Sequence, residues 1–214
     1  MTREARVWDA ISLASLFGAT ALTAAVYDKL PARVPVHFDL HGTTDGFADR
    51  AFGAWILLGV AAFVFVLLRF GARILPHGAR ERLEASPVSA LAFLMTTLFV
   101  TLQAIVLYAA LHPTTHMGRP LAVALSAFWL VLALVMPRVR RNPFVGIRTA
   151  WTLASDENWA HTHRFASFAF AIGGLLGVVA GLAGSHALAI VAVLGSGLAP
   201  LVFSFVLAHR LPPA

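Results

Sequence analysis

The chain has 214 residues, of which 59% are hydrophobic and 12% are charged. An ordinary soluble domain carries about 25% charged residues, so a bilayer is the expected solvent. The net charge of +6 does not point to nucleic acid, because the basic residues fall between apolar blocks and form no single stripe. The chain has no cysteine, which excludes disulfides and thiolate metal sites.

Six apolar blocks run from Trp8 to Tyr27, Ala51 to Leu68, Val88 to Leu111, Pro120 to Met136, Phe165 to Gly184 and Ala187 to Ala208. Each approaches the roughly 20 residues with which a helix crosses about 30 Å of hydrocarbon. The fold class is therefore an all-α integral membrane protein with six transmembrane helices. Residues 1–111 would form an N-terminal three-helix region and 112–214 a C-terminal one. Ala19-Thr20-Ala21 has the small residues of a signal-peptide cleavage site, but the block stays apolar through Val26, so a retained helix is expected. Twelve basic residues (Arg3, Arg6, Arg69, Arg73, Arg80, Arg82, Arg138, Arg140, Arg141, Arg148, Arg164, Arg210) fall on one side of the spans and four (Lys29, Arg33, Arg50, Arg119) on the other. That bias places both termini in the cytoplasm.

The connection after the first span, residues 28–50, then lies outside. Alternation from Val34 to Leu40 predicts a short strand, with Val36, Phe38 and Leu40 on one face and His37, Asp39 and His41 on the other. Gly42 and Asp45-Gly46 signal turns. An ordered polar element for recognition or local folding is the first reading. A metal site on His37, Asp39 and His41, with His112 or His116 as supplement, is the weaker one. No cofactor is implied.

No Asp, Glu, Lys or Arg lies in mid-span; Asp9 and Arg69 sit at span ends, where they can snorkel. In-span Ser, Thr and Gln, among them Ser12, Thr23, Gln103, Ser126 and Ser204, suit helix–helix hydrogen bonds. The inner connection, residues 138–164, is the longest. Asn142-Pro143 and Gly146 signal turns, and Ser155 with Asp156 and Glu157 starts a helix that runs into the fifth span. Trp159 and His163 lie four apart on one helical face, and Trp151 and Trp159 suit an interfacial belt. Arg148, among apolar neighbours, calls for a partner: Asp156, Glu157 or a lipid phosphate. Gly173, Gly177 and Gly181 form a small-residue stripe for a close neighbour, with the sixth helix expected; Gly195, Gly197 and Pro200 mark a kink candidate in that helix.

The run Asn142-Pro143-Phe144-Val145-Gly146-Ile147-Arg148-Thr149-Ala150-Trp151-Thr152-Leu153, then Asp156-Glu157-Asn158-Trp159, then Thr162-His163-Arg164, closely resembles the signature of the SdpI family of bacterial membrane proteins. Leu30-Pro31, Val34-Pro35-Val36-His37-Phe38, Gly42 and Asp45-Gly46-Phe47 resemble the N-terminal domain of unknown function that often accompanies it. Asp39 stands where relatives often carry Asn, and His41 is outside the common pattern, which counts against the metal site. The resemblance implies no enzyme. It implies immunity to a secreted toxic peptide and signalling through a cytoplasmic repressor, with membrane lipids as the other partner. His37, Asp39, Gly42 and Asp45 would serve the outer partner. Asn142, Gly146, Arg148, Thr149, Trp151, Trp159 and His163 would serve the inner one. Two other classes compete: a small-molecule or lipid transporter, hinted at by a three-plus-three inverted repeat, and a metal-dependent membrane enzyme.

Overall fold

The computed structural model describes residues 3–210. Six helices are long and apolar enough to cross a membrane. They are α1 (Arg3–Val26), α3 (Ile56–Phe70, preceded by the single turn α2, Arg50–Gly53), α5 (Val88–Leu111), α6 (Gly118–Val135), α8 (Asp156–Leu182) and α9 (His186–Ala208). Two short helices, α4 (His77–Glu84) and α7 (Ala150–Ala154), lie in connections. The chain is a multi-pass membrane protein.

The polarity of the helices is inside-out. Helix α1 buries Ser12 and Thr23 and exposes Leu13, Phe17 and Leu22. Helix α8 buries Gly173, Gly177 and Gly181 and exposes Phe168, Ile172 and Leu176. In water this arrangement would be costly. In lipid the tails solvate the large side chains, and small residues let helices approach. Ser12 and Thr23 satisfy their hydroxyls on the carbonyls of Trp8 and Ala19, both at 2.8 Å.

Helices α1, α3 and α5 pack together, as do α6, α8 and α9, and α5 meets α6 between the two groups. In the first group α5 is the central helix; in the second it is α8. The two triples therefore do not repeat one packing, which counts against the inverted-repeat reading. Gln103 of α5 locks the first group: its Nε2 donates to Thr23 Oγ1 at 3.2 Å and to the Ala54 carbonyl at 2.9 Å. Asp9 and Arg69 pair across α1 and α3 at 2.8 Å instead of snorkelling apart. The glycine stripe of α8 serves two neighbours. A Cβ at Gly173 would meet Ser196 of α9, whereas one at Gly177 or Gly181 would meet Ser126 or Ala122 of α6.

The connection after α1 departs from an all-α chain. It folds as an antiparallel hairpin of β1 (Arg33–Phe38) and β2 (Thr44–Asp49), with an irregular register between Pro35 and Phe38. Val34 is fully buried against α5, beside Leu30, Val106 and Ala110. At the opposite end of the spans, the basic end, lie α4, the 138–155 connection, the start of α1 and the end of α9.

Candidate functional site

The site residues expected from the sequence fall into two groups at opposite ends of the spans. At the hairpin end, His37 Nδ1 lies 2.5 Å from Asp45 Oδ1 across the strands. Asp39 lies beyond the end of β1. One carboxylate oxygen of Asp39 accepts the N–H groups of His41 and Thr43, each at 2.8 Å. Donation from Thr43, the larger effect, holds the Asp39 carboxyl below its ordinary value. The expected apolar face also divides: Phe38 packs on α5, while Val36 and Leu40 are exposed. His112 bonds the Tyr108 carbonyl on its own helix and stacks on that ring. Among the described residues no three His, Asp or Glu side chains gather as a metal ion would require.

Gly42 has φ +77°, a conformation that L side chains rarely adopt. Its carbonyl accepts from Met117 N at 3.0 Å, and a Cβ there would lie 1.9 Å from Gly118 N. The hairpin tip is thus seated on the start of α6. Between hairpin and α5–α6 connection opens a cleft of about 350 Å³, lined in part by Arg33, Pro35, Phe47, Thr114, Thr115 and His116. Phe47 is 49% exposed there. Of the residues expected to serve the outer partner, His37, Asp39, Gly42 and Asp45, none lines this cleft; His116, the supplement in the metal reading, does. Pairing of a second strand, which would have disclosed Phe47, leaves little signal in Thr44-Asp45-Gly46-Phe47, where only one residue is large and apolar.

At the basic end the other group is drawn together. Asn142 is buried. Its Oδ1 accepts from Phe144 N and Val145 N at 2.8 and 2.9 Å, and its Nδ2 donates to the carbonyls of Arg140 and Val145. Gly146 follows at φ +113°, with the His163 and Trp159 rings where a Cβ would stand. His163 donates from Nδ1 to the Trp159 carbonyl at 2.9 Å and accepts from Ile147 N on Nε2 at 3.1 Å. Both ring nitrogens are used, which fixes a neutral tautomer. Trp159 stacks on His163 and donates to the Val139 carbonyl at 2.8 Å. It is buried in the bundle and takes no part in an interfacial belt.

Thr149 and Thr152 cap α7 reciprocally, and Thr152 reaches the Ile147 carbonyl at 2.8 Å. Ser155 caps α8 by accepting from Asn158 N. Trp151 Nε1 donates to Ser204 Oγ at 2.7 Å, and Asn158 Nδ2 to the Ser204 carbonyl at 3.0 Å. So the connection is fastened to α9 as well as α8. The partner of Asp156 is Arg141, through two bonds of 2.6 and 3.1 Å. Arg148 is exposed and donates to the Pro143 carbonyl, which corrects the expected pairing with Asp156. Arg141, Asn158 and Ser204 are structural members of the site that residue type alone did not single out.

Residues 138–204 match the model of the SdpI/YfhL protein family. The chain carries an SdpI/YfhL-family domain. Its limits fit the geometry: the match ends at Ser204, where the bonds from Trp151 and Asn158 land. Residues 14–62, most of α1 with the hairpin and the start of α3, match the domain of unknown function DUF1648. No curated protein and no solved structure matches the chain. Through Gly42 on Gly118, the hairpin of the first matched segment bears on α6, which packs on α8 and α9 of the SdpI/YfhL domain.

Proposed function

We propose that this chain is a non-enzymatic immunity receptor of the bacterial cytoplasmic membrane. Its hairpin faces outward and takes up a secreted toxic peptide; its basic end faces the cytoplasm and meets a regulator. The cleft between hairpin and α5–α6 connection carries the reading. It combines Phe47 and Pro35 with Arg33, Thr114 and His116, the mixed lining that suits a peptide. The hairpin that forms one wall is tied to α6 by the bond from Met117 N to the Gly42 carbonyl, so occupancy bears on the SdpI/YfhL domain. A peptide that binds one arrangement of the bundle better than another shifts the population between them. The twelve-to-four bias of basic residues supports the orientation. On the cytoplasmic side, exposed Arg140, Arg148 and Arg164 offer a cationic surface to a repressor.

The test is survival. A sensitive bacterium expressing the chain is challenged with secreted peptides, beside Phe47→Ala and Arg148→Ala variants of equal membrane level. Protection that falls about tenfold in Phe47→Ala is expected, for loss of one aromatic contact of about 1.4 kcal/mol. Full protection by that variant would remove the cleft from the reading. Absence of protection by the unaltered chain against every peptide would remove immunity itself.

A further inference from the structure

A second cavity, of about 580 Å³, opens at the basic end among α1, α3, α4 and the start of α5. Ordinary ligand pockets run from about 300 to 1,000 Å³. Neither the hairpin cleft nor the Asn142–His163 motif uses it. It lies where the apolar runs of α1, α3 and α5 end, which in a bilayer is headgroup depth.

Its lining carries both signs of charge on apolar walls. Trp8, Leu83 and Val88 supply the walls; Arg69, Arg73 and Arg80 the cations; Glu4 and Glu84 the anions. Arg69 is paired with Asp9, and Arg80 with Glu84 at 2.8 Å. Arg73 lies over the Phe70 ring and has no carboxylate partner among the described residues. Among the described residues Glu4 accepts from Trp8 Nε1, at 3.3 Å, and has no cationic partner. The N–H groups of Ser89 and Ala90 open α5 without intrahelical acceptors and favour an anion beside them.

We propose that this cavity binds the headgroup of a zwitterionic phospholipid, phosphate toward Arg73 and Arg80 and ammonium toward Glu4. A purely anionic headgroup would meet the guanidinium groups but leave Glu4 facing like charge. A zwitterion answers both signs, and its first methylenes lie on Trp8 and Val88. The site adjoins the SdpI/YfhL domain. Ser86, in the cavity wall, accepts from Arg140 N at 2.9 Å, and Leu83 shares one apolar cluster with Val139 and Trp159. A bound lipid therefore buttresses the start of the inner connection.

The full chain, purified in detergent, is titrated with phosphatidylethanolamine, phosphatidylglycerol or inorganic phosphate, and bound ligand is counted by native mass spectrometry. Phosphatidylethanolamine is expected to be retained about tenfold better than phosphatidylglycerol, as one added charge-assisted bond gives. Glu4→Gln, which keeps the acceptor for Trp8, should abolish that preference. Arg73→Ala should weaken both lipids about tenfold. Ser89→Asp should expel both while favouring the first turn of α5, so its loss of lipid is not a folding defect. Equal retention of the two lipids would overturn the proposal. So would wild-type lipid binding by Arg73→Ala and Ser89→Asp, or inorganic phosphate binding as tightly as lipid.

Discussion

Single side chains at both ends work by closing backbone hydrogen bonds where the chain turns. Asn142 supplies partners to four backbone groups that would otherwise need water. Asn142→Ala should lower stability by about 2–3 kcal/mol, read as an earlier thermal transition in detergent. Gly146→Ala adds a Cβ at φ +113° against the His163 ring. It should cost about 1–3 kcal/mol from the backbone alone, and more from the collision. Asp39 offers a sharper case, because a single oxygen accepts both N–H groups. Asp39→Asn should therefore keep the loop, while Asp39→Ala should speed amide exchange at His41 and Thr43. The folded carboxyl titrates below its ordinary value. Its contribution is then complete above that pH and is lost as pH falls through the depressed folded value. Exchange at those two amides should be unchanged by this group down to about pH 4 and rise only in stronger acid.

At the scale of elements, the hydrogen bonds from Trp151 of α7 and Asn158 of α8 to α9 both end on one serine, Ser204. Trp151→Phe and Ser204→Ala should each cost about 1 kcal/mol, with a coupling of about 0.5–1.5 kcal/mol in the double-mutant cycle. Additive effects would mean that the 2.7 Å bond carries no energy of its own. Gly42→Ala should lift the hairpin tip from α6, and proteolysis within residues 39–43 should then accelerate. The spans were legible because length and apolarity alone decide them in lipid. The start of α8 at Ser155 was legible too, from a cap followed by two acids. The hairpin was only half legible. Proline and alternation disclose β1, but β2 has no hydrophobic run and owes its place to pairing with β1 and to the seat of Gly42 on α6. The pairing of Asp156 with Arg141 over Arg148 was hidden because it depends on how residues 142–149 fold back. The two arginines are alike in sequence and differ only in where that turn delivers them.

Over the whole molecule, two three-helix groups meet along α5 and α6, with the hairpin bridging them at one end. Phe144 packs against Gly71 at the other, so the connection between α6 and α7 also touches the first group. An event at the hairpin thus has a packed route to the SdpI/YfhL domain, and α6 is its middle member. The proposed receptor role requires the hairpin to be outside and its cleft to be covered by a peptide. The absence of cysteine makes that directly measurable, since any single introduced thiol is unique. Thr114→Cys in the cleft and Arg140→Cys at the basic end are each labelled in intact cells with a membrane-impermeant maleimide, with and without a peptide that the chain protects against. With the hairpin outside and the peptide in the cleft, the cleft thiol labels, the peptide slows its labelling, and the Arg140→Cys thiol labels only after the cells are opened. Labelling of Arg140→Cys in intact cells, or a cleft thiol indifferent to the peptide, would contradict that role.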